Sequence, residues 1–282
     1  MTRPYRSVLY IPAANQRAMD KARTLAADAI IFDLEDAVAP AEKPGARELL
    51  RAALAQDYGG RARIVRINGF DTEWGRDDAA FAAGLGDRAD AVLVPKVSRP
   101  EDLDAVAAIT GDIPLWAMME TALGMLNAAA IAAHPRLQGM VMGTNDLAKE
   151  LGSRHRPDRL GMQAGLGLCL LAARAHGLVI VDGVFNAFKD EKGLRAECEQ
   201  GRDMGFDGKT LIHPAQLDIA NAAFAPTEAE IDLSRRQIEA FDAAIAEGKA
   251  VAVVDGRIVE NLHVETARKT LARADAIAAL AG

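Results

Sequence analysis

PLWAMMETALGMLNAAAIAAHPRLQGMVMGTNDLA, residues 114–148, decides the fold. Its first seven residues form an apolar run that ends on Glu120, and GMVMG (139–143) is a second run that leads into Asp146. Between them, ALGMLNAAAIAA is rich in alanine and leucine, the residues that favour helix. Two apolar strands joined by a helix-length segment make the repeating unit of a parallel sheet.

Six more runs of the same kind flank this unit: SVLYIPA (7–13), AIIFDLED (29–36), IVRING (64–69), AVLVPK (91–96), VIVDGVF (179–185) and KTLIH (209–213). Eight strands alternating with alanine-rich helices predict a (β/α)8 TIM barrel over residues 1–225. Residues 226–282 lie outside the barrel count. They read as a helix from Pro226 to Gly248, N-capped by Thr227 in a TEAE capping box. A hairpin, VAVVDGRIV, turns at Asp255-Gly256, and a last helix begins near Val264. This helix–hairpin–helix extension can cover its own barrel mouth or that of a neighbouring subunit.

The chain has a formal charge of −7, which argues against nucleic acid or anionic membrane as a partner and requires local Arg and Lys for any phosphorylated ligand. No stretch approaches the length of a membrane span, and the two cysteines, Cys169 and Cys198, lack metal-ligand spacing. Both read as reduced packing residues in a cytoplasmic protein.

In an α/β barrel the reactive groups gather at the carboxyl ends of the strands. That rim here carries Asp33, Glu35, Asp36, Arg66, Asn68, Lys96, Glu120, Asp146, Asp182, Asn186 and His213. Glu120 and Asp146, from adjacent strands, suit a hard cation such as Mg2+, with Mn2+ also compatible. Such an ion takes one or two carboxylates and leaves its other positions to water and substrate oxygens. The competing reading is that each acid serves the start of the following helix. Arg66 has two open readings, a structural ion pair with an acid of the second strand or a fork for a substrate acyl group. Lys96 reads as a charge partner rather than a Schiff-base lysine, and His213 as a base or a cap. His134 and His155 read as structural.

RSVLYIPA, DLEDAV with EKPGAR, VRING, VPKV, METALGML, MGTNDLA, GFDGKTLIHPAQ and FAPTEAEI together resemble the citrate lyase β-subunit-like proteins of the HpcH/HpaI aldolase superfamily. The resemblance implies Mg2+ on Glu120 and Asp146, Arg66 on the substrate acyl group, and a coenzyme A site near Tyr10, Arg17 and Lys21. Ala13 departs from the glycine that many relatives carry. It also implies a homo-oligomer acting on the CoA thioester of a small hydroxy acid. Lyases of this kind use an aspartate of the C-terminal hairpin segment, where this chain has Glu260 within DGRIVENLH. The longer carboxylate suits a general base for water better than proton exchange at carbon. Otherwise Glu260 is a surface acid. METALGMLNAAAIAAHPRL, MGTNDLAKELGSRHRPDR and IVENLH look like the branch that hydrolyses (3S)-malyl-CoA to malate and free CoA. The alternative is a malyl-CoA, β-methylmalyl-CoA or citramalyl-CoA lyase.

Overall fold

The computed structural model describes residues 3–281. Eight parallel strands close into a barrel: β1 (Ser7–Pro12), β2 (Ala29–Asp33), β3 (Ala62–Arg66), β4 (Ala91–Val94), β5 (Leu115–Met119), β6 (Leu137–Met142), β7 (Val179–Asp182) and β8 (Gly208–Leu211). The order follows the sequence, and the ring is completed where Val8 of β1 pairs with Thr210 of β8. All eight expected strands form. Each ends within a few residues of its apolar run, because the chemistry-bearing residues after it belong to the rim loops.

Strand side chains alternate between two dry compartments. Val8, Ile31, Ile64, Leu93, Trp116, Val141 and Val181 fill the barrel interior. Leu9, Ile30, Phe32, Val65, Val92, Ala117, Met140 and Ile180 face the helix layer. Both faces of a parallel sheet are covered, so its strands read as nearly continuous apolar runs. The layer is built from α1 (Gln16–Ala22), α2 (Lys43–Ala53), α3 (Gly75–Ala83), α4 (Pro100–Thr110), α5 (Ala122–Leu126), α6 (Ala128–Ala132), α7 (Thr144–Glu150), α8 (Gln163–Ala175), α9 (Glu191–Met204) and α10 (Leu217–Phe224). The stretch 122–133, expected as one helix, is broken at Asn127. That residue caps α5 at its carboxyl end, and its side chain donates to the Ser98 carbonyl at 2.8 Å.

Tyr5–Phe224 form one compact unit, and the segment from Ala225 belongs to another. The second unit contains α11 (Glu228–Ala246), the hairpin β9 (Ala252–Val254) and β10 (Arg257–Val259), and α12 (Asn261–Ala281). Thr227 caps α11 with the expected capping box through Glu230. The last helix starts three residues earlier than the sequence suggests. Val259 before its first turn and Val264 within it are both buried in one small cluster with Ala244 and Ala252, pinning the chain's entry into the helix. Both cysteines are buried free thiols. Among the described residues no helix is long and apolar enough to cross a membrane.

Candidate active site

The inward register of the strands lifts three charged side chains into the mouth of the barrel: Asp33 continues the row of Ile31, Arg66 that of Ile64, and Glu120 that of Trp116 and Met118. They border a cavity of about 430 Å³ whose lining also includes Tyr10, Asp36, Met118, Asn145, Asp146 and Asn186.

Asp33 is saturated. Its carboxylate takes Arg66 Nε and Nη2 at 2.7 and 2.6 Å and the backbone N–H groups of Glu35 and Ala37 at 2.8 and 3.1 Å. This is the structural ion pair that the sequence left open, and it occupies one whole edge of the guanidinium. Arg66 Nη1 lies 2.7 Å from Glu35 Oε2 and 3.4 Å from Asp36, while the guanidinium stacks on the Tyr10 ring at 5.0 Å. Burial opposes its charge, yet the charge and hydrogen bonds of Asp33 hold its proton firmly. Tyr10 sits inside the mouth, its hydroxyl 3.4 Å from Met118 Sδ, and burial pushes its ionisation upward.

The loop carrying Glu35 is held from below. Buried Lys43 donates to the carbonyls of Leu34 and Glu35 at 2.9 and 2.7 Å and to Asn68 Oδ1 at 2.8 Å. Asn68 in turn rests on Asp78, which pairs with Arg47. Sequence reasoning missed Lys43 and Asp78. Lys43 lies ten residues past the strand end, and a buried acid within a helix leaves no spacing signal.

Glu120 and Asp146 differ from these paired acids. Glu120 is 2% exposed, and its Oε1 accepts only the Lys96 backbone N–H, at 2.8 Å. That N–H is aimed by a left-handed backbone at Lys96, φ 53°. The carboxylate of Asp146, in the first turn of α7, makes no hydrogen bond or ion pair with another described residue. Gly143 is required here because an added Cβ would strike Glu120 Cβ and Oε2. Burial, reinforced by the charge of Glu35 and then by Asp146, pushes the Glu120 carboxyl up to about 8. Burial also pushes Glu35 up to about 7 against the pull of Arg66, and its Oε2 makes no hydrogen bond of acceptable angle despite the close Nη1. Among the described residues no three Asp, Glu, His or Cys side chains close a metal cage. Two carboxylates lacking a counter-cation beside an open cavity fit a hard divalent ion that keeps positions for water and substrate.

Asp182 was grouped with these rim acids, but it continues the outward row of Ile180 and lies beneath the rim in the helix layer. There it receives both 2.7 Å bonds from Arg159 Nη1 and lies 3.3 Å from Lys209 Nζ, which also contacts Glu197 at 2.6 Å. His213 is a cap: its Nδ1 accepts the Ala215 N–H at 3.1 Å, and its ring stacks on Phe188. His134 bonds Asp104 and the Arg136 N–H as a structural residue would, and His155 is exposed. Arg17 and Lys21 stand four residues apart on exposed positions of α1, one turn from each other and without an ion pair to a described residue. Glu260, in the C-terminal unit, is exposed. Its backbone N–H donates to His263 Nδ1 at 3.0 Å, and its carboxylate has no described partner.

The sequence of residues 6–214 matches the HpcH/HpaI aldolase/citrate lyase family, and the chain belongs to that family. Among curated proteins, it is 74% identical over 278 residues to a (3S)-malyl-CoA thioesterase of Cereibacter sphaeroides, covering 98% of this chain and 96% of that one. An L-malyl-CoA/β-methylmalyl-CoA lyase of the same species is 34% identical, with 98% and 96% covered. The crystal structure of CitE from Mycobacterium tuberculosis in complex with magnesium, acetoacetate and coenzyme A superimposes with a TM-score of 0.80 at 30% identity, covering 96% of this chain and 98% of that one.

Proposed function

We propose that the protein hydrolyses (3S)-malyl-CoA to malate and free CoA in a reaction that depends on a divalent metal. The 74% identity to a (3S)-malyl-CoA thioesterase over nearly the whole of both chains carries this reading. The metal-ready pair in the barrel mouth supports it.

Glu120 and Asp146 are the residues that would hold the cation, Mg2+ in the first instance and Mn2+ as a substitute. When bound, it supplies Lewis acidity and orientation toward the hydroxyl and carboxylate oxygens of the malyl group. Arg66, fixed through Asp33, borders the acyl group with an Nη1 side that it shares with Glu35 and Asp36. Arg17 and Lys21 are free cations suited to the phosphates of CoA, with Tyr10 at the acyl end. Glu260 is the general base. It takes a proton from water as the water oxygen attacks the thioester carbon, and the C–S bond then breaks and the thiolate recovers that proton. Its mount is rigid, because His263 holds its backbone and Val259 and Val264 bury the flanking turns.

Residues 1–225 form the catalytic barrel in this reading. Residues 226–282 act as a lid that brings Glu260 to its own mouth or to that of a neighbour in a homo-oligomer. The free thiols suit a reducing compartment such as the cytoplasm.

Product analysis tests the reaction. Purified protein given (3S)-malyl-CoA and Mg2+ should release malate and free thiol in equal amounts. Glyoxylate and acetyl-CoA appearing at the rate of substrate loss would assign it to the lyases.

A further inference from the structure

Hydrolysis of a thioester places negative charge on the carbonyl oxygen when water adds, and the site needs N–H or O–H donors aimed at that oxygen. The barrel mouth is rich in acceptors and poor in free side-chain donors. Arg66 is committed to Asp33, Glu35 and Asp36, and the Tyr10 hydroxyl is turned to Met118 Sδ.

Two carboxamides on the same cavity wall are different. Asn145, in the first turn of α7, and Asn186, in the loop after β7, both line the cavity and bond each other reciprocally. Asn186 Nδ2 reaches Asn145 Oδ1 at 2.8 Å, and Asn145 Nδ2 reaches Asn186 Oδ1 at 3.3 Å. A carboxamide carries two N–H groups, so this pairing uses one from each residue and leaves one on each without a carboxylate to satisfy. The arrangement is braced from behind. Gln216, fully buried, donates to the Phe185 carbonyl at 2.9 Å and accepts from Ile212 and His213, tying the β7 loop to the end of β8. The Phe188 N–H closes on the Asn186 carbonyl at 2.9 Å. Donors fixed before the substrate arrives need no reorganisation when charge develops.

We infer that Asn186, held by Asn145, is a catalytic residue whose carboxamide donates to the thioester oxygen as it becomes an oxyanion. In the step it serves, the water oxygen bonds to the carbonyl carbon, the C=O electron pair moves onto the oxygen facing Asn186, and the base takes one water proton. The pair then returns, the C–S bond breaks, and the sulfur leaves with that proton as free thiol. The inference rests on the hydrolytic reading of this cavity.

The test compares the wild-type enzyme with Asn186→Ala, Asn145→Ala and the double variant, loaded with Mg2+. It reads kcat, KM, and calorimetric binding of a malyl-CoA analogue whose thioester carbonyl is replaced by a methylene. Asn186→Ala should lose about 100-fold in kcat with KM within about threefold. The analogue, lacking the oxygen, should bind both proteins equally. Asn145→Ala should lose less, and the double variant should be no slower than Asn186→Ala. A kcat within about threefold of wild type overturns the inference, as does a raised KM at unchanged kcat. Weakened binding of the carbonyl-free analogue also overturns it, because that result describes general substrate positioning. If the wild type yields glyoxylate, the hydrolytic reading fails by itself. The Asn186 comparison is then read on the rate of cleavage, since the enolate puts its charge on the same oxygen.

Discussion

Two groups of acids lie at the carboxyl end of the barrel, and they have opposite electrostatic balance. On one side Asp182 and Glu197 are matched by Arg159 and Lys209, every charge paired within the helix layer. On the other, Asp33, Asp36, Glu120 and Asp146 line one cavity mouth with Glu35 beside Arg66, and among the described residues only Arg66 forms ion pairs with any of them. The first group balances its own charge, although Arg159 Nη2 is buried without a hydrogen bond, and breaking such a cluster is costly. The second crowds carboxyls around a single guanidinium, so burial and mutual repulsion hold protons on Glu35 and Glu120, the condition in which a cation displaces a proton. Strand-end acids therefore divide by the face of the strand they continue: inward rows reach the cavity, and outward rows reach the helices.

Removing charge from each group should have different consequences. Glu120→Ala or Asp146→Ala should cut hydrolysis by at least about a thousandfold while leaving thermal unfolding of the metal-free protein equal to or above wild type, since neither carboxyl has a cationic partner to lose. Asp182→Ala should do the reverse. It leaves Arg159 without an acid partner and Lys209 with Glu197 alone, and should lower stability by about 3–5 kcal/mol in urea unfolding. A stable Asp182→Ala protein, or a strongly destabilised Glu120→Ala protein, would erase the contrast.

The same contrast sets a pH dependence. Glu120 and Glu35 titrate near 8 and 7 in the native chain, above their ordinary value of 4.5. The folded state therefore holds more protons than the unfolded chain between those limits, and stability of the metal-free protein falls as pH rises from about 5 to about 8. The decline should flatten in Glu120→Gln and should be reversed by Mg2+ at the alkaline end. Urea melts at several pH values, with and without metal, measure it.

The smallest effect belongs to the exposed cations. Arg17→Ala and Lys21→Ala should leave stability unchanged and raise KM for the CoA thioester by about three- to tenfold each, with the difference shrinking in high salt. Steady-state kinetics at two ionic strengths would detect it.

Much of this was legible before the structure. The eight apolar runs gave the strands to within a few residues, and the TEAE box and Asp255-Gly256 turn gave the C-terminal elements. The adjacency of Glu120 and Asp146 followed from consecutive parallel strands. The distinction between Asp182 and Glu120 did not follow. A strand covered on both faces is apolar on both, so alternation that would mark inward and outward positions is hidden. Arg66 was left between two readings because its partner, Asp33, is brought to it by register across β2 and β3, which no spacing within either strand reports. Lys43, Asp78, Arg159 and Gln216 act through contacts between segments distant in sequence, and only the folded chain assembles them.

The central claim is that Glu120, buried in the cavity mouth beside Asp146, is held protonated until a cation arrives. Calorimetric titration of the metal-free protein with Mg2+ at pH 7, repeated in buffers of different ionisation enthalpy, tests it directly. The account predicts saturable binding with release of about one proton per ion, lost in Glu120→Gln. Binding without proton release, or binding that survives in Glu120→Gln, would contradict it.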